Sequence, residues 1–188
     1  MLRREARLAG ASRDAVDLYV RIGTIDEDML QDSAAAKEAY GKALALDPGC
    51  LPALRAMKGI HERERNRDGF LEVLVAEAKY AEDEERRAVL FTEVGRIHQE
   101  ERDDREGAAR AYEEALKRQP EHLPAARPLS DLYVAAQRWP DAERVLDGMV
   151  RTLSGGGDAK ELCRQSYRLG YVAEKLGNRE KALLAYRR

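Results

Sequence analysis

Long apolar runs are missing from the sequence, and no stretch is apolar for long enough to cross a membrane. Residues 1–7 carry positive charge, but no apolar run follows them, so we do not expect a signal peptide there. We therefore expect a cytoplasmic protein that does not act at a membrane. Cysteine is also rare: Cys50 and Cys163 form no CxxC pair and both fall in helical patterns. We interpret them as small buried or half-buried thiols in a reducing compartment.

An excess of one charge sign is absent as well. Charged residues make up 36% of the chain, yet the formal net charge is only −2 and the two signs are interspersed. A nucleic-acid surface needs a basic excess to replace phosphate counterions, so we expect no nucleic-acid partner. Aromatic residues are only 6% of the chain and β-branched runs are scarce, whereas good helix formers dominate. This composition predicts an all-α protein.

Catalytic and metal-binding motifs are the remaining absence. The segment from His61 begins like the zinc-protease pattern HExxH, but Arg65 occupies the second ligand position and cannot bind zinc. His61, His98 and His122 have no second His or Cys one helical turn away. The sequence contains no GxSxG, P-loop or GxGxxG motif. We therefore predict no catalytic residue, no metal and no cofactor, and a protein that is not an enzyme.

The chain does contain an internal repeat, because a shift of 72 residues superimposes it on itself without a gap. The coinciding pairs include Gly23 and Gly95, Ala36 and Ala108, Tyr40 and Tyr112, and Pro48 and Pro120. Half of this period is close to the length of one helix–turn–helix unit, and apolar residues recur at helical spacing within it. The predicted helices are approximately 12–30, 33–46, 51–64, 68–82, 84–101, 105–118, 123–136, 139–153, 159–176 and 179–188. Residues 154–157 are predicted to form a flexible loop, and Asp158 to cap the helix after it.

The repeated unit resembles the tetratricopeptide repeat, in which an aromatic, a large apolar and a small residue precede Ala-x3-aromatic and then Pro. The matching residues are Tyr19, Ile22, Gly23, Ala36, Tyr40 and Pro48; Phe91, Val94, Gly95, Ala108, Tyr112 and Pro120; and Leu169, Gly170, Gly177, Asn178, Ala182 and Tyr186. The resemblance implies an all-α, right-handed solenoid of about five stacked antiparallel helix hairpins in a single domain, 1–188. The hairpins would occupy 12–50, 51–83, 84–122, 123–157 and 158–188.

Both ends of the array are expected to be truncated. Residues 1–11 would be the remnant of a preceding hairpin, because residues 2–9 match residues 74–81 in the second helix of a hairpin. The last helix reaches only Arg188 and has neither the later alanine nor the terminating proline of its counterparts. We therefore expect a fragment of a longer array, or a homodimer formed through open ends.

Glycine and tyrosine have a predicted packing role in the odd-numbered hairpins. The small residue at Gly23, Gly95 and Gly170 would let two helices approach closely, and the tyrosine of the next helix would fill the space between hairpins. Two hairpins carry one extra residue near Asp32 and Asp104, which predicts a longer turn. The even-numbered hairpins lack the glycine.

The resemblance also implies a concave groove, lined by the first helix of each hairpin, that binds a protein or peptide partner. Its residues would include Val20, Thr24, Glu27, Gly59 and Thr92. The predicted partner-binding residues are Arg55, Glu62, Arg96, Gln99, Arg127, Asp131, Arg164, Tyr167, Arg168 and Tyr171. Arginine suits carboxylates and stacks on aromatic rings. The alternative is a set of solvated arginines that pair with Glu62 or Asp131.

Three functions are compatible with such an array. The first is an adaptor that binds a partner in its groove, and the second is a regulatory or targeting arm of a larger enzyme such as a kinase or glycosyltransferase. The third is a self-assembly module. Members of the family that bind chaperone tails use a clamp of Lys, Asn and Arg. Apart from Asn66 and Asn178, which lie in predicted turns, asparagine is absent, so we do not expect that clamp.

Overall fold

The computed structural model describes residues 1–10, 12–156 and 158–188, without the side chain of Arg7. Within these ranges the chain forms eleven α-helices and no strand, which confirms the all-α prediction. Gly157, which belongs to the predicted flexible loop and ends the predicted range 123–157, lies outside the described residues. Ala11, the last residue of the predicted remnant 1–11, does so as well.

The helices follow one another with short connections. They are α1 (Leu2–Leu8), α2 (Arg13–Asp28), α3 (Ser33–Leu46), α4 (Leu51–Arg63), α5 (Arg67–Tyr80), α6 (Glu84–Glu101), α7 (Arg105–Arg118), α8 (Leu123–Ala135), α9 (Trp139–Ser154), α10 (Ala159–Lys175) and α11 (Arg179–Tyr186). The chain divides into two compact units, Met1–Leu90 and Phe91–Arg188. The single-domain assignment stays a prediction.

The first unit contains α1 to α5 and the beginning of α6. Each helix from α1 to α5 packs against the next, and α2 also contacts α4. Alanines at positions 36, 43 and 53 are fully buried, so the backbones of α3 and α4 approach closely around the Tyr40 ring. Val16, Cys50 and Ile60 complete this core. Burial of these apolar side chains is the main term that stabilises the stack.

The second unit contains the rest of α6 and α7 to α11. Consecutive helices from α7 to α11 pack against each other. The largest fully buried apolar side chains here are Leu129 and Tyr133 from α8, Leu146, Met149 and Val150 from α9, and Val172 from α10. These residues recur every three or four positions, so each helix turns one apolar stripe toward its neighbours.

The turns inside the five hairpins share one backbone conformation just before the second helix. The residue before the N-cap of the second helix has a positive φ in all five hairpins, at Gln31, Arg65, Asp103, Gln137 and Gly177. Four of the five N-cap side chains, those of Asp32, Asn66, Asp104 and Asn178, accept a hydrogen bond from the backbone N–H three residues later. This left-handed residue followed by a cap ends one helix and starts the next.

The extra residue predicted near Asp32 and Asp104 is confirmed by the backbone hydrogen bond that closes these turns. The N–H of Asp32 donates to the carbonyl of Asp26, and that of Asp104 to the carbonyl of His98, six residues back in each case. The corresponding bond from Asn66 reaches only five residues back, to His61, and the turns at residues 138 and 178 do the same. The longer turn therefore accommodates one residue without loss of the closing hydrogen bond.

Replacing Gln137 by glycine is expected to raise the free energy of unfolding by about 0.5 to 1 kcal/mol. Gln137 is an exposed residue at φ +55°, a conformation that glycine adopts without the steric cost of a Cβ. Gly177 occupies the same place in the last hairpin at φ +77°, so Gly177→Gln should lower stability by a similar amount. Urea unfolding of both variants measures the effect, and changes of the same sign in the two would contradict it.

Candidate functional site

The predicted groove residues of the second unit that lie on α8 and α10 form one connected polar surface, which we call the α8–α10 surface: Arg127, Asp131, Arg164, Tyr167, Arg168 and Tyr171. Arg127 Nε lies 3.0 Å from a carboxylate oxygen of Glu161. Arg168 bridges the two helices, because it pairs with Asp131 and donates a bond of 3.1 Å to Gln165. The alternative that Asp131 pairs with an arginine is therefore confirmed, and the partner is Arg168.

Two tyrosines stand out on this surface. Tyr167 is 65% exposed and Tyr171 is 39% exposed, although both lie on a helix that is packed on two sides. Tyr167 contacts Tyr186 at a centroid distance of 5.4 Å, and Tyr171 meets the edge of Trp139 at 6.2 Å. These ring contacts help to hold the tyrosines in place, while both residues remain partly exposed.

Cations accompany the aromatic rings. The Arg164 guanidinium is largely exposed and lies 3.6 Å from Glu161, one turn before Tyr167. Lys175 Nζ lies 5.1 Å from the centre of the Tyr171 ring, within the range of a cation–π interaction. Glu161 accepts hydrogen bonds from Gln165 and Arg127, which lower its pKa. The surface therefore combines exposed aromatic area with fixed arginines.

The predicted groove residues of α6 have partners within their own hairpin. Arg96 forms ion pairs with Glu93 at 2.6 Å and Glu100 at 2.7 Å, and these hydrogen bonds raise its pKa above its ordinary value. Gln99 accepts a hydrogen bond of 3.1 Å from the hydroxyl of Tyr112. Burial raises the pKa of Tyr112 to about 12. Arg96 and Gln99 are thus engaged locally.

Glycine and tyrosine meet as the repeat predicts. A Cβ added at Gly23, Gly95 or Gly170 would lie within 2.5 Å of a ring carbon of the tyrosine on the following helix. The tyrosines are Tyr40, Tyr112 and Tyr186. The hydroxyl of Tyr40 then reaches Glu27 at 3.1 Å, as that of Tyr112 reaches Gln99. This contact fixes the spacing of the two helices in each odd-numbered hairpin.

In the first unit the predicted groove residues lie on α2 and α4. Thr24 bonds to the carbonyl of Val20 at 3.1 Å, and Glu27 accepts from Arg63 as well as from Tyr40. Glu62 is exposed on α4. Arg55 pairs with Glu77 at 3.5 Å rather than with Glu62, so the proposed Glu62 pairing does not form at this arginine. Arg63 is a groove-side cation that the sequence analysis did not include.

Sequence reasoning also missed a buried carboxylate. Glu77 on α5 is 0% exposed and is surrounded by Lys58, by Arg86 at 3.3 Å and by Arg55 at 3.5 Å; we call these four residues the Glu77 cluster. Burial raises the pKa of Glu77, but hydrogen bonds and charges from Lys58 and Arg86 outweigh it, and the net pKa lies below the ordinary value. The available signal was a glutamate on the apolar stripe of α5, where the 72-residue shift places Met149.

The remaining reactive groups are scattered. Burial raises the pKa of the Cys50 thiol, whereas Cys163 is exposed on α10, so the expectation of a buried or half-buried thiol is wrong there. The described part of the chain holds no group of three His, Cys, Asp or Glu residues placed to bind a metal. No helix within it is long and apolar enough to span a membrane.

Sequence profiles described as Tetratricopeptide repeat match residues 16–50 and 101–165, together just over half of the chain. The first covers the hairpin with Gly23 and Tyr40, and the second covers α7 to α9 with their flanking turns. The chain belongs to the tetratricopeptide repeat family. Tetratricopeptide repeats form all-α stacks of helical hairpins that serve as protein-interaction scaffolds, and at this general level the chain is one.

Several solved structures are similar to this tetratricopeptide chain. MamA is 18% identical over 92% of this chain and 88% of its own, with a TM-score of 0.49. YrrB, described as a TPR protein with an unusual peptide-binding site, is 14% identical over 95% and 87%, with a TM-score of 0.48. The pilF protein of Pseudomonas aeruginosa is 18% identical over 98% and 78%, with a TM-score of 0.46. Comparison with curated protein sequences finds no match.

Proposed function

We propose that the chain is a non-catalytic adaptor that binds a protein or peptide segment through the α8–α10 surface. Arg164, Tyr167, Arg168 and Tyr171 are the anchors in this proposal. The observation that supports it is the pair of exposed tyrosine rings on α10, held between Tyr186 and Trp139. Aromatic residues and arginine are the usual anchors of an interface, and a ring already held in its bound orientation loses little entropy on binding.

The charges of the surface suit a partner segment that carries both apolar and acidic residues. Arg127 pairs with Glu161. Arg168 bonds to Asp131 and Gln165 through two of its five N–H donors, which leaves others for a partner. Arg164 is more exposed and more loosely held, so its guanidinium has donors left for a partner carboxylate. The tyrosines would supply the apolar contact area.

Replacement of either Tyr167 or Arg168 by alanine is expected to weaken partner binding by about thirtyfold or more, the loss typical of interface anchors. The partner is first identified by pull-down and mass spectrometry, and its affinity for each variant is then measured with purified proteins. Tyr80→Ala is the matched control, because Tyr80 is an exposed tyrosine on the second helix of a hairpin in the first unit. Unchanged affinity of the folded Tyr167→Ala and Arg168→Ala variants would refute the proposed surface.

The self-assembly alternative has a separate test. Sedimentation of the chain alone over a wide concentration range should give one monomeric mass if the chain acts as an adaptor. A mass that rises with concentration would favour a module that pairs with its own copies instead.

A further inference from the structure

The Glu77 cluster contains more positive charge than its buried carboxylate can balance. Lys58 is 22% exposed and bonds directly to Glu77, so these two charges neutralise each other. Arg55 and Arg86 are 58% and 48% exposed, and their contacts with Glu77 are longer, at 3.5 and 3.3 Å. The Glu77 carboxylate therefore orients both guanidinium groups, but each of them keeps N–H donors that Glu77 does not engage.

The equivalent positions in the second unit lack this excess of positive charge. The positions equivalent to Arg55, Lys58, Glu77 and Arg86, counted from the helix starts, are those of Arg127, Ser130, Met149 and Glu161. There Arg127 pairs with the carboxylate of Glu161 at 3.0 Å, and apolar Met149 is buried beneath them. The first unit therefore has an arginine on α6 where the second has a carboxylate on α10.

We propose that Arg55 and Arg86 bind a carboxylate of an acidic peptide segment, which takes the place that Glu161 occupies in the second unit. The planar guanidinium groups match a carboxylate in geometry, and Glu77 with Lys58 positions them. The nearby carboxylate of Asp83 is engaged, because it caps α6 by accepting from the N–H groups of Glu85 and Arg86. This site lies in the first unit and does not depend on the α8–α10 surface.

The test uses the full chain and a fluorescein-labelled polyglutamate peptide, with the same peptide carrying glutamine as the neutral probe. Fluorescence anisotropy at low salt should show binding of polyglutamate only. The double variant Arg55→Gln, Arg86→Gln should weaken it by about tenfold, the usual effect of losing charge-assisted hydrogen bonds. Arg86→Glu should weaken it as strongly, since the new carboxylate would pair with Arg55 as Glu161 pairs with Arg127.

The matched control removes the same charge from α9, the second helix of a hairpin in the second unit. Arg144→Gln with Arg151→Gln changes two exposed arginines outside both proposed surfaces and should change the polyglutamate affinity by about twofold or less. Circular dichroism establishes that each variant is folded. Equal weakening by both double variants would reveal a general charge effect and overturn the proposal, as would unchanged binding to Arg55→Gln, Arg86→Gln. Displacement of the peptide by inorganic phosphate at lower concentration than by unlabelled polyglutamate would also overturn it, in favour of a phosphate site.

Discussion

Replacement of Glu77 by glutamine is expected to lower the free energy of unfolding by about 3 kcal/mol, because it leaves the partly buried Lys58 without its counter-charge. Arg55 and Arg86 lose the negative charge that holds them beside each other, and their mutual repulsion is then unopposed. The amide oxygen of glutamine can still accept hydrogen bonds, so the loss comes mainly from charge rather than from packing volume. Urea unfolding at neutral pH measures the change.

The effect of Glu77→Gln should also depend on pH. The folded-state pKa of Glu77 is lower than its ordinary value of 4.5, so its carboxylate stabilises the fold fully above that pH. As the pH falls below 4.5 toward the folded-state pKa, the unfolded chain takes up a proton at this residue before the native protein does, and this contribution is lost. The difference in stability between the parent and Glu77→Gln should therefore shrink below pH 4.5. A difference that grows on acidification would contradict the assignment.

Two further variants separate charge from volume in the Glu77 cluster. Glu72 is an exposed residue on the same helix, so Glu72→Gln should change stability by less than about 0.5 kcal/mol. Glu77→Met combined with Lys58→Ser copies the Met149 and Ser130 arrangement of the second unit. Because these sites are in contact, the double variant should be more stable than Glu77→Met alone by about 1 kcal/mol or more.

Gly95→Leu is expected to destabilise the protein by about 3 kcal/mol, at the upper end of the usual cost of overpacking a core. A Cβ at this position would lie 2.5 Å from a ring carbon of Tyr112, which is itself buried. The ring cannot move away without losing its hydrogen bond to Gln99 and separating α6 from α7. Thermal and urea unfolding should both show the loss.

Gly148→Leu is the matched control for this substitution. Gly148 also lies inside a helix of the second unit, but nothing is within 4 Å of a Cβ placed there. Leucine should therefore raise stability by about 0.5 to 1 kcal/mol through its better helix propensity. If Gly95→Leu and Gly148→Leu had the same effect, close contact with Tyr112 would not be the reason for glycine at position 95.

Comparison of the hairpins explains which part of this packing was predictable. The glycine lies eight or nine residues before the N-cap of the turn, and the tyrosine lies eight residues after it. Their contact therefore depends only on two short helices and the turn between them. Where the glycine is replaced by Lys58 or Ser130, the tyrosine is replaced by Leu74 or Leu146. The predicted helices 33–46, 84–101 and 105–118 match the structure to the residue for the same reason. Local spacing and caps determine them.

Most partners of the charged groove residues could not be predicted in this way. The sequence suggested Glu62 or Asp131 as partners for arginine, and Arg168 does pair with Asp131. Arg55, however, pairs with Glu77, and Arg127 pairs with Glu161. In each pair the two side chains come from different helices, and their meeting depends on how far each helix is rotated about its axis. A long, flexible arginine side chain can reach several carboxylates, and a small rotation of its helix changes which of them it pairs with.

The sequence by itself determined the helices, the turns, the glycine–tyrosine contact and the family, because all of these depend on spacing within a hairpin and on the repetition of that spacing along the chain. Only the tertiary structure decided that Glu77 is buried among Lys58, Arg55 and Arg86, and that Tyr171 rests against Trp139. Both clusters combine side chains from different helices, and these side chains meet only when the helices are packed together. The repeat pattern of the sequence indicates which positions face an adjacent helix. Whether such a position forms an apolar core contact or a charged cluster depends on the side chains of that adjacent helix.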